Sequence, residues 1–328
     1  MNWLCFSTLL FATCMVSCHQ DGDQIKTESL AECSCPDRDS TTTTPYANIR
    51  GALLGSRFAS FDELKSVLQI VYDSTGPGHY RVTVRHCSGG REAVAILETG
   101  VSQGDFAKAR YSGTIWDKLI FLYRSPHTIQ KRKELEKSYT LSRWRPEWFG
   151  EGDVAFFDIA KLTSQNINTP DWAFINSRDS TEKGYLNSFN HLTAQAFITS
   201  CFSEEMADFI ADSHERYRHP ELITGCFTEE QVANLDEGPV DNYVDMINNE
   251  WGQELGKQLK VKYNINQFTK WTPELLSNYL NDLQAYYSWA FQIGFRPFRS
   301  DDEAVIRFSH KLNVVMNGYL NYQQTITE

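Results

Sequence analysis

Val240-Asp241-Asn242-Tyr243-Val244-Asp245-Met246-Ile247-Asn248-Asn249-Glu250-Trp251-Gly252-Gln253-Glu254-Leu255-Gly256 carries two stripes at once. Val240, Tyr243, Val244, Ile247, Trp251 and Leu255 recur at the spacing of one helical face and form a core stripe. Asp241, Asp245, Asn248 and Gly252 form a second, turned by about 100° from the first. This polar row is costly, because Asn and Asp favour caps over helix interiors and Gly252 and Gly256 each lose about 1 kcal/mol relative to Ala. Something must offset it. Glycines four apart let another helix or a ligand come close, while carboxylates and carboxamides supply oxygen ligands or hydrogen-bond partners.

From Tyr185 onward every strong signal is helical. Ser203 precedes an apolar-periodic run from Glu204 to Tyr217, and Thr228-Glu229-Glu230-Gln231 is a capping box. Thr272-Pro273 puts proline at the first position of a helix that ends near Gly294, and Ser300-Asp301-Asp302-Glu303 opens the last one. Residues 184–328 therefore read as a helical bundle. Upstream, residues 46–125 read as a small α+β domain. Ser60-Phe61-Asp62-Glu63 is a capping box, and Leu64, Val67, Leu68 and Val71 continue a helix expected to stop before Gly76-Pro77-Gly78. Tyr80, Val82 and Val84 alternate with Arg81, Thr83 and Arg85, and Ala93–Leu97 is strand-like, so the two form a hairpin. Ile115–Tyr123 is apolar enough to be a further buried element. The fold class is α+β, a small N-terminal α+β domain followed by a mainly α-helical bundle.

Between the two, residues 126–183 form a basic connector and loop region. From Arg124 to Arg145 seven basic residues face only Glu134 and Glu136. That reads as a solvated helix followed by a docking patch of Trp144, Trp148 and Phe149, or as a contact for anionic lipid or a partner. Gly150 to Asp179 reads as loop and short strand. The whole chain has 328 residues, 42 acidic against 31 basic, and a net charge of -11, which repels a phosphate backbone and argues against nucleic acid as a partner.

Residues 1–18 lack charge, and Leu4, Phe6, Leu9, Leu10, Phe11 and Ala12 form the short apolar core of an export signal. Met15-Val16-Ser17-Cys18 resembles a bacterial lipobox, which implies lipidation of Cys18 and a membrane anchor; Met15 and the lack of a basic n-region depart from the pattern. His19 after that cysteine implies the outer membrane under the sorting rule of such lipoproteins. The expected location is the cell envelope, with plain secretion as the alternative. Residues 19–45, acidic and threonine-rich, read as a flexible tether. Cys33 and Cys35 fall in it without further ligands at zinc-site spacing. Cys201 and Cys226 stand at helix boundaries of one domain, where an oxidising compartment would let them pair.

Three segments concentrate polar groups in the bundle: Asn187-x-x-x-His191, Asp212-x-His214-Glu215, and the row from Asp241 to Gly252. Asn187, His191 and Gln195 share a face of one helix; His214, Glu215 and Arg218 share a face of another, with Asp212 turned toward Asp208. Histidine and carboxylates from different helices build metal or acid–base sites in bundles. No His-Glu-x-x-His, Glu-x-x-His or Gly-x-Ser-x-Gly occurs. A buried polar network that fixes packing is the competing explanation.

Asn187-Ser-Phe-Asn-His191, Glu205-x-Ala207, Asp212-Ser-His214-Glu215 and Val244-Asp245-Met-Ile-Asn248-Asn249-x-x-Gly252 together resemble an uncharacterised helical domain of exported bacterial proteins. The resemblance covers about 75 residues, Gly184 to Leu259. It implies a shared helical core and polar site, with no established activity. Asn187 stands where the pattern has Asp and Asn190 where it has Arg.

Two functions follow. In one, a non-catalytic binding protein takes a protein or glycan partner, using the small domain and the aromatics around Trp271, Tyr286, Tyr287 and Trp289. In the other, a metal-dependent hydrolase acts on envelope material. His191, His214 and Glu215 then supply acid–base chemistry, Asp245, Asn248 and Asn249 bind a divalent metal ion, and Asn187, Asp241 and Gly252 form a substrate or structural network. The Asn187 and Asn190 departures favour binding.

Overall fold

A computed structural model describes residues 58–88, 91–166, 187–290 and 296–317. The expected signal, Cys18, the expected tether and its cysteines lie outside these residues, as do residues 167–186 and the end of the helix expected near Gly294.

Ser60 caps α1 (Phe61–Lys65), its Oγ accepting from Glu63 N at 3.1 Å. The helix stops there. Ile70, Val71 and Tyr72, read as its continuation, belong instead to β1 (Gln69–Gly76), which pairs antiparallel with β2 (His79–Ser88). Gly76 and Gly78 adopt positive φ in the turn between them, the conformation glycine takes without strain. β3 (Arg91–Glu98) completes a meander in the order β1-β2-β3, and the hairpin expected from the alternation is present. Val82, Val84, Ala93, Ala95 and Leu97 point inward and are buried.

A run of short helices follows: α2 (Gln103–Ala107), a π-helical turn at Lys108–Ser112, α3 (Ile115–Arg124), α4 (Pro126–Gln130), α5 (Arg132–Leu141) and α6 (Pro146–Phe149). The expectation of a buried element at Ile115–Tyr123 is overturned. It is a helix, yet Ile115, Trp116, Leu119, Ile120, Leu122 and Tyr123 are all exposed. Trp144, placed in the docking patch, is also exposed, with its Nε1 donating to Asp158. The loop expected after Gly150 holds α7 (Phe156–Asn166) instead. Its start is fixed by Asp158, which accepts from Ala155 N at 2.8 Å, and Phe156, Ile159 and Ala160 bury one face.

The bundle comprises α8 (Asn187–Cys201), α9 (Glu204–Arg218), a 3-10 turn at Pro220–Ile223, α10 (Glu229–Ala233), α11 (Pro239–Lys262), α12 (Pro273–Ala290) and α13 (Glu303–Asn317). Ser203, Thr228 and Thr272 act at the N-termini as their positions predict. The core stripe of α11 is buried throughout. Phe197 of α8 packs on Phe156, Trp271, Tyr279 and Phe308, joining α7, α12 and α13. Trp271 and Tyr286 are buried and so belong to the core, where they present no binding surface.

The sheet leans on α11. Tyr243 Oη donates to Leu222 O at 2.9 Å and therefore accepts from Tyr72 Oη of β1 at 2.7 Å. Arg216 of α9 donates to Val101 O and Glu98 O, tying the end of β3 to the bundle. One hydrophobic cluster runs from Leu64 through the sheet to Met316. Cys201 is a free, buried thiol pushed up to about 12 by burial, whereas Cys226 is disulfide-bonded, so the Cys201–Cys226 pairing does not form.

Candidate functional site

Helices α8 and α11 run parallel, and their polar rows meet rung by rung. Asn187 Nδ2 donates to Asp245 Oδ1 and Oδ2 at 3.2 and 3.0 Å. One turn on, His191 Nδ1 lies 3.1 Å from Asn249 Oδ1, and another turn on Gln253 Nε2 donates to Gln195 Oε1 at 3.4 Å. Each rung advances four residues on both helices, which is what a 3.6-residue period gives when two rows face each other. Gly252 and Gly256 make the approach possible. A Cβ on Gly252 would meet Leu192 O at 2.9 Å, and one on Gly256 would meet Ala196 O at 2.6 Å. The glycines therefore serve helix contact.

At the N-terminal end of this pair, α9 crosses and encloses a polar cavity of about 70 Å3. Asn187 and His191 of α8, His214, Glu215 and Arg218 of α9, and Asp241, Asn242 and Asp245 of α11 line it. His219 and Glu237 complete the wall. That volume holds several waters or one small polar group. His191 is held from both sides, its Nε2 lying 3.3 Å from Asp245 Oδ2. His214 Nδ1 lies 3.3 Å from Gln103 Oε1 of α2.

The two neighbours on α9 shift in opposite directions for one reason. Burial, then the charges of His191, Arg218, Arg143 and His219, push His214 down to about 4. Burial, then the negative charges of Asp245, Asp241 and Asp212, hold Glu215 well above the usual carboxylate range. Glu215 is 3% exposed, and its Oε2 has no hydrogen-bond partner among the described residues. Both side chains resist ionisation.

Of the residues singled out from sequence, Asn187, His191, His214, Glu215, Asp241 and Asp245 converge on the cavity. Asn249 is one step back, holding His191. Asn248 is fully buried outside the lining, and Gly252 lies at the helix contact. Asp245, Asn248 and Asn249 thus do not converge as a ligand set, and among the described residues no group of three or more His, Cys, Asp or Glu side chains is arranged to hold a metal ion. Sequence reasoning missed His219, Glu237 and Asn242. His219 and Glu237 stand in turns, where no periodicity marks them, and Asn242 Nδ2 donates to Gly238 O at 2.8 Å in the first turn of α11.

Asp212 faces away from this cavity, as its position on α9 predicts. It lies with Asp208 on the opposite side and is raised to about 7 by burial and by the Asp208 charge; Glu250 of α11 is raised to about 8 by burial, then by Asp208 and Asp212. Asp212 keeps an ion pair to Arg216 Nη1 at 3.2 Å.

No protein-family model matches the chain, and neither a curated protein nor a solved structure was found to be similar to it.

Proposed function

We propose that this protein is an exported, envelope-associated binding protein whose cavity between α8, α9 and α11 takes the hydroxyl-rich end of a glycan. The observation that carries this reading is the closed polar ladder. The Asp245 carboxylate is engaged by Asn187 and His191, and His191 by Asn249, so these groups form a fixed recognition surface. Carboxylates, carboxamides and imidazoles at fixed positions match sugar hydroxyls, which both donate and accept. Export is supported by the apolar Leu4–Ala12 run and by a disulfide at Cys226, which suits an oxidising compartment. Among the described residues no helix is long and apolar enough to cross a membrane. The lipid anchor at Cys18 and the outer membrane belong to the same proposal.

A second reading has one specific observation in its favour. Glu215 keeps its proton beside the negative Asp241 and Asp245, the separation of carboxyl behaviour that hydrolysis by general acid–base catalysis uses. Titration calorimetry with an N-acetylglucosamine trimer and with soluble peptidoglycan fragments separates the two. The binding reading expects saturable binding of one of these probes, weakened at least tenfold by Asp241→Asn, kept by the isosteric Glu215→Gln, with no new reducing ends. Reducing ends released by the wild type and not by Glu215→Gln would establish the hydrolase. Absence of binding to both probes would refute the glycan assignment.

A further inference from the structure

Helix α3 is attached by one edge and exposes the other. Phe121 stacks edge-on against Phe106, with ring centroids 5.0 Å apart. Asp117 accepts from Thr114 N and pairs with Lys108 Nζ at 2.7 Å, and Arg124 donates to Gly100 O at 3.0 Å. On a helical wheel these three anchors occupy one side. Ile115, Trp116, Leu119, Ile120, Leu122 and Tyr123 occupy the other, an arc of about 160° on that wheel. Trp116 is 70% exposed and Tyr123 88%. Single exposed hydrophobes need no explanation, but six contiguous ones on one short helix mark an interaction surface.

Charge identifies the occupant. Between Lys108 and Arg145 there are ten basic residues against Asp117, Glu134 and Glu136, an excess of seven positive charges in a chain whose net charge is -11. Lys118 flanks the arc on α3, Arg110, Arg132 and Lys133 are also exposed, and Arg110 lies 4.0 Å from Glu136 of α5. A second copy docking through the same arc would set two basic rims of like charge against each other. An anionic lipid surface meets such a rim with the opposite sign and accepts Trp and Tyr at headgroup depth. We propose that α3 is an in-plane membrane contact, its apolar arc entering the interface of an anionic bilayer and its basic rim lying against the headgroups. The proposal is independent of the glycan reading.

The test is co-sedimentation of the full chain with vesicles of equal parts phosphatidylcholine and phosphatidylglycerol, and with phosphatidylcholine alone. The pair Trp116→Ser and Ile120→Asp changes exposed side chains only, and both proteins carry Cys18→Ser, so that no acyl anchor contributes to sedimentation. The expected result is binding to the anionic vesicles reduced at least tenfold in the double variant, and weaker binding of the wild type to neutral vesicles. Equal sedimentation of wild type and variant overturns the proposal, as does equal binding to both lipids. A wild-type dimer made monomeric by the variant, with no vesicle binding, overturns it in favour of a second copy. If the double variant fails to fold, Trp116→Phe replaces it. Quenching of tryptophan emission by bromolipid must then fall in Trp116→Phe, and unchanged quenching refutes the contact.

Discussion

Replacing Gly256 by Ala sets two effects of opposite sign against each other. In an exposed helix interior the change stabilises by about 1 kcal/mol. Here the added Cβ would sit 2.6 Å from Ala196 O, 2.9 Å from Ala196 Cα and 2.9 Å from Thr199 Cβ. Two of these are backbone atoms of α8, so no side chain can swing aside. Reaching 3.4 Å from Ala196 O requires α8 to withdraw by about 0.8 Å, and overpacking of this kind costs about 1–3 kcal/mol, occasionally more. The same withdrawal stretches Ser200 Oγ to Gly256 O, now 2.8 Å, and loosens Ser200 against Tyr279 Oη, also 2.8 Å. Losing one such buried bond adds about 1 kcal/mol. The sum is a net loss of about 1–3 kcal/mol, read as a lower urea midpoint with unchanged slope. Gly252→Ala, facing Leu192 O and Gln195 Cβ, shifts the same way and also widens the Asn187–Asp245 rung. A variant as stable as the wild type, or more so, would refute the close contact, because only the propensity gain would remain.

Stability should also depend on pH through Glu250. Its carboxyl ionises near 4.5 in the unfolded chain and near 8 when folded, so between those values the native state holds the extra proton and stability falls as pH rises. From pH 5 to 7.5 this amounts to about 3 kcal/mol, which the wild type loses relative to Glu250→Gln; parallel urea curves at the two pH values test it, and a pH-independent difference would refute it. In α13, the Lys311 side chain is 1% exposed and its ammonium donates to Asp153 Oδ2 at 2.7 Å, Arg143 O at 2.9 Å and Val154 O at 3.0 Å. Asp153→Ala leaves that cation buried and should cost about 3–5 kcal/mol, while Lys311→Met added to it should recover most of the loss. A thermal melt in which the double variant is no better than the single one would remove the ion pair as the cause.

The parts of this fold legible in sequence are those where one element's own pattern decides. The stripe from Val240 to Leu255, the β2–β3 alternation and the caps at Ser60, Ser203 and Thr228 are local signals, and the structure follows them. Ile70 to Gly76 was misleading because Leu64 and Leu68 are both buried at helical spacing, yet pairing with Tyr80–Arg85 recruits the next residues into a strand. Tertiary pairing outweighs a weak propensity. Ile115–Tyr123 failed differently: apolar content measures what a helix can bury and does not say that a partner is there. The candidate site shows the same division. Steps of four placed Asn187, His191 and Gln195 on one face and Asp241 and Asp245 on another. Which helices would be neighbours, and that they run parallel, depends on α9 and α10 returning the chain, and no local pattern carries that.

His214 and Glu215 are consecutive residues, and their shifts explain the site's chemistry together. His214 and Glu215 share the neighbourhood of α8 and α11, where burial disfavours any charge. Charged side chains then act on what burial leaves. Positive neighbours push the imidazole further down, and Asp241 and Asp245 push the carboxyl further up, so each residue is driven toward its neutral form. A neutral imidazole and a protonated carboxyl are hydrogen-bonding groups able to act in both directions, one as donor and acceptor through two nitrogens, the other through its hydroxyl and carbonyl. A cation bound through Glu215 would require that carboxyl to ionise at a cost, and one bound through Asp245 would have to displace Asn187 or His191. An uncharged polyhydroxyl ligand requires neither. The same electrostatics that make Glu215 resemble a catalytic acid therefore also make the cavity a receptor for neutral polar groups, and the isosteric Glu215→Gln change, which keeps the second property and removes the first, is the substitution on which the two readings diverge.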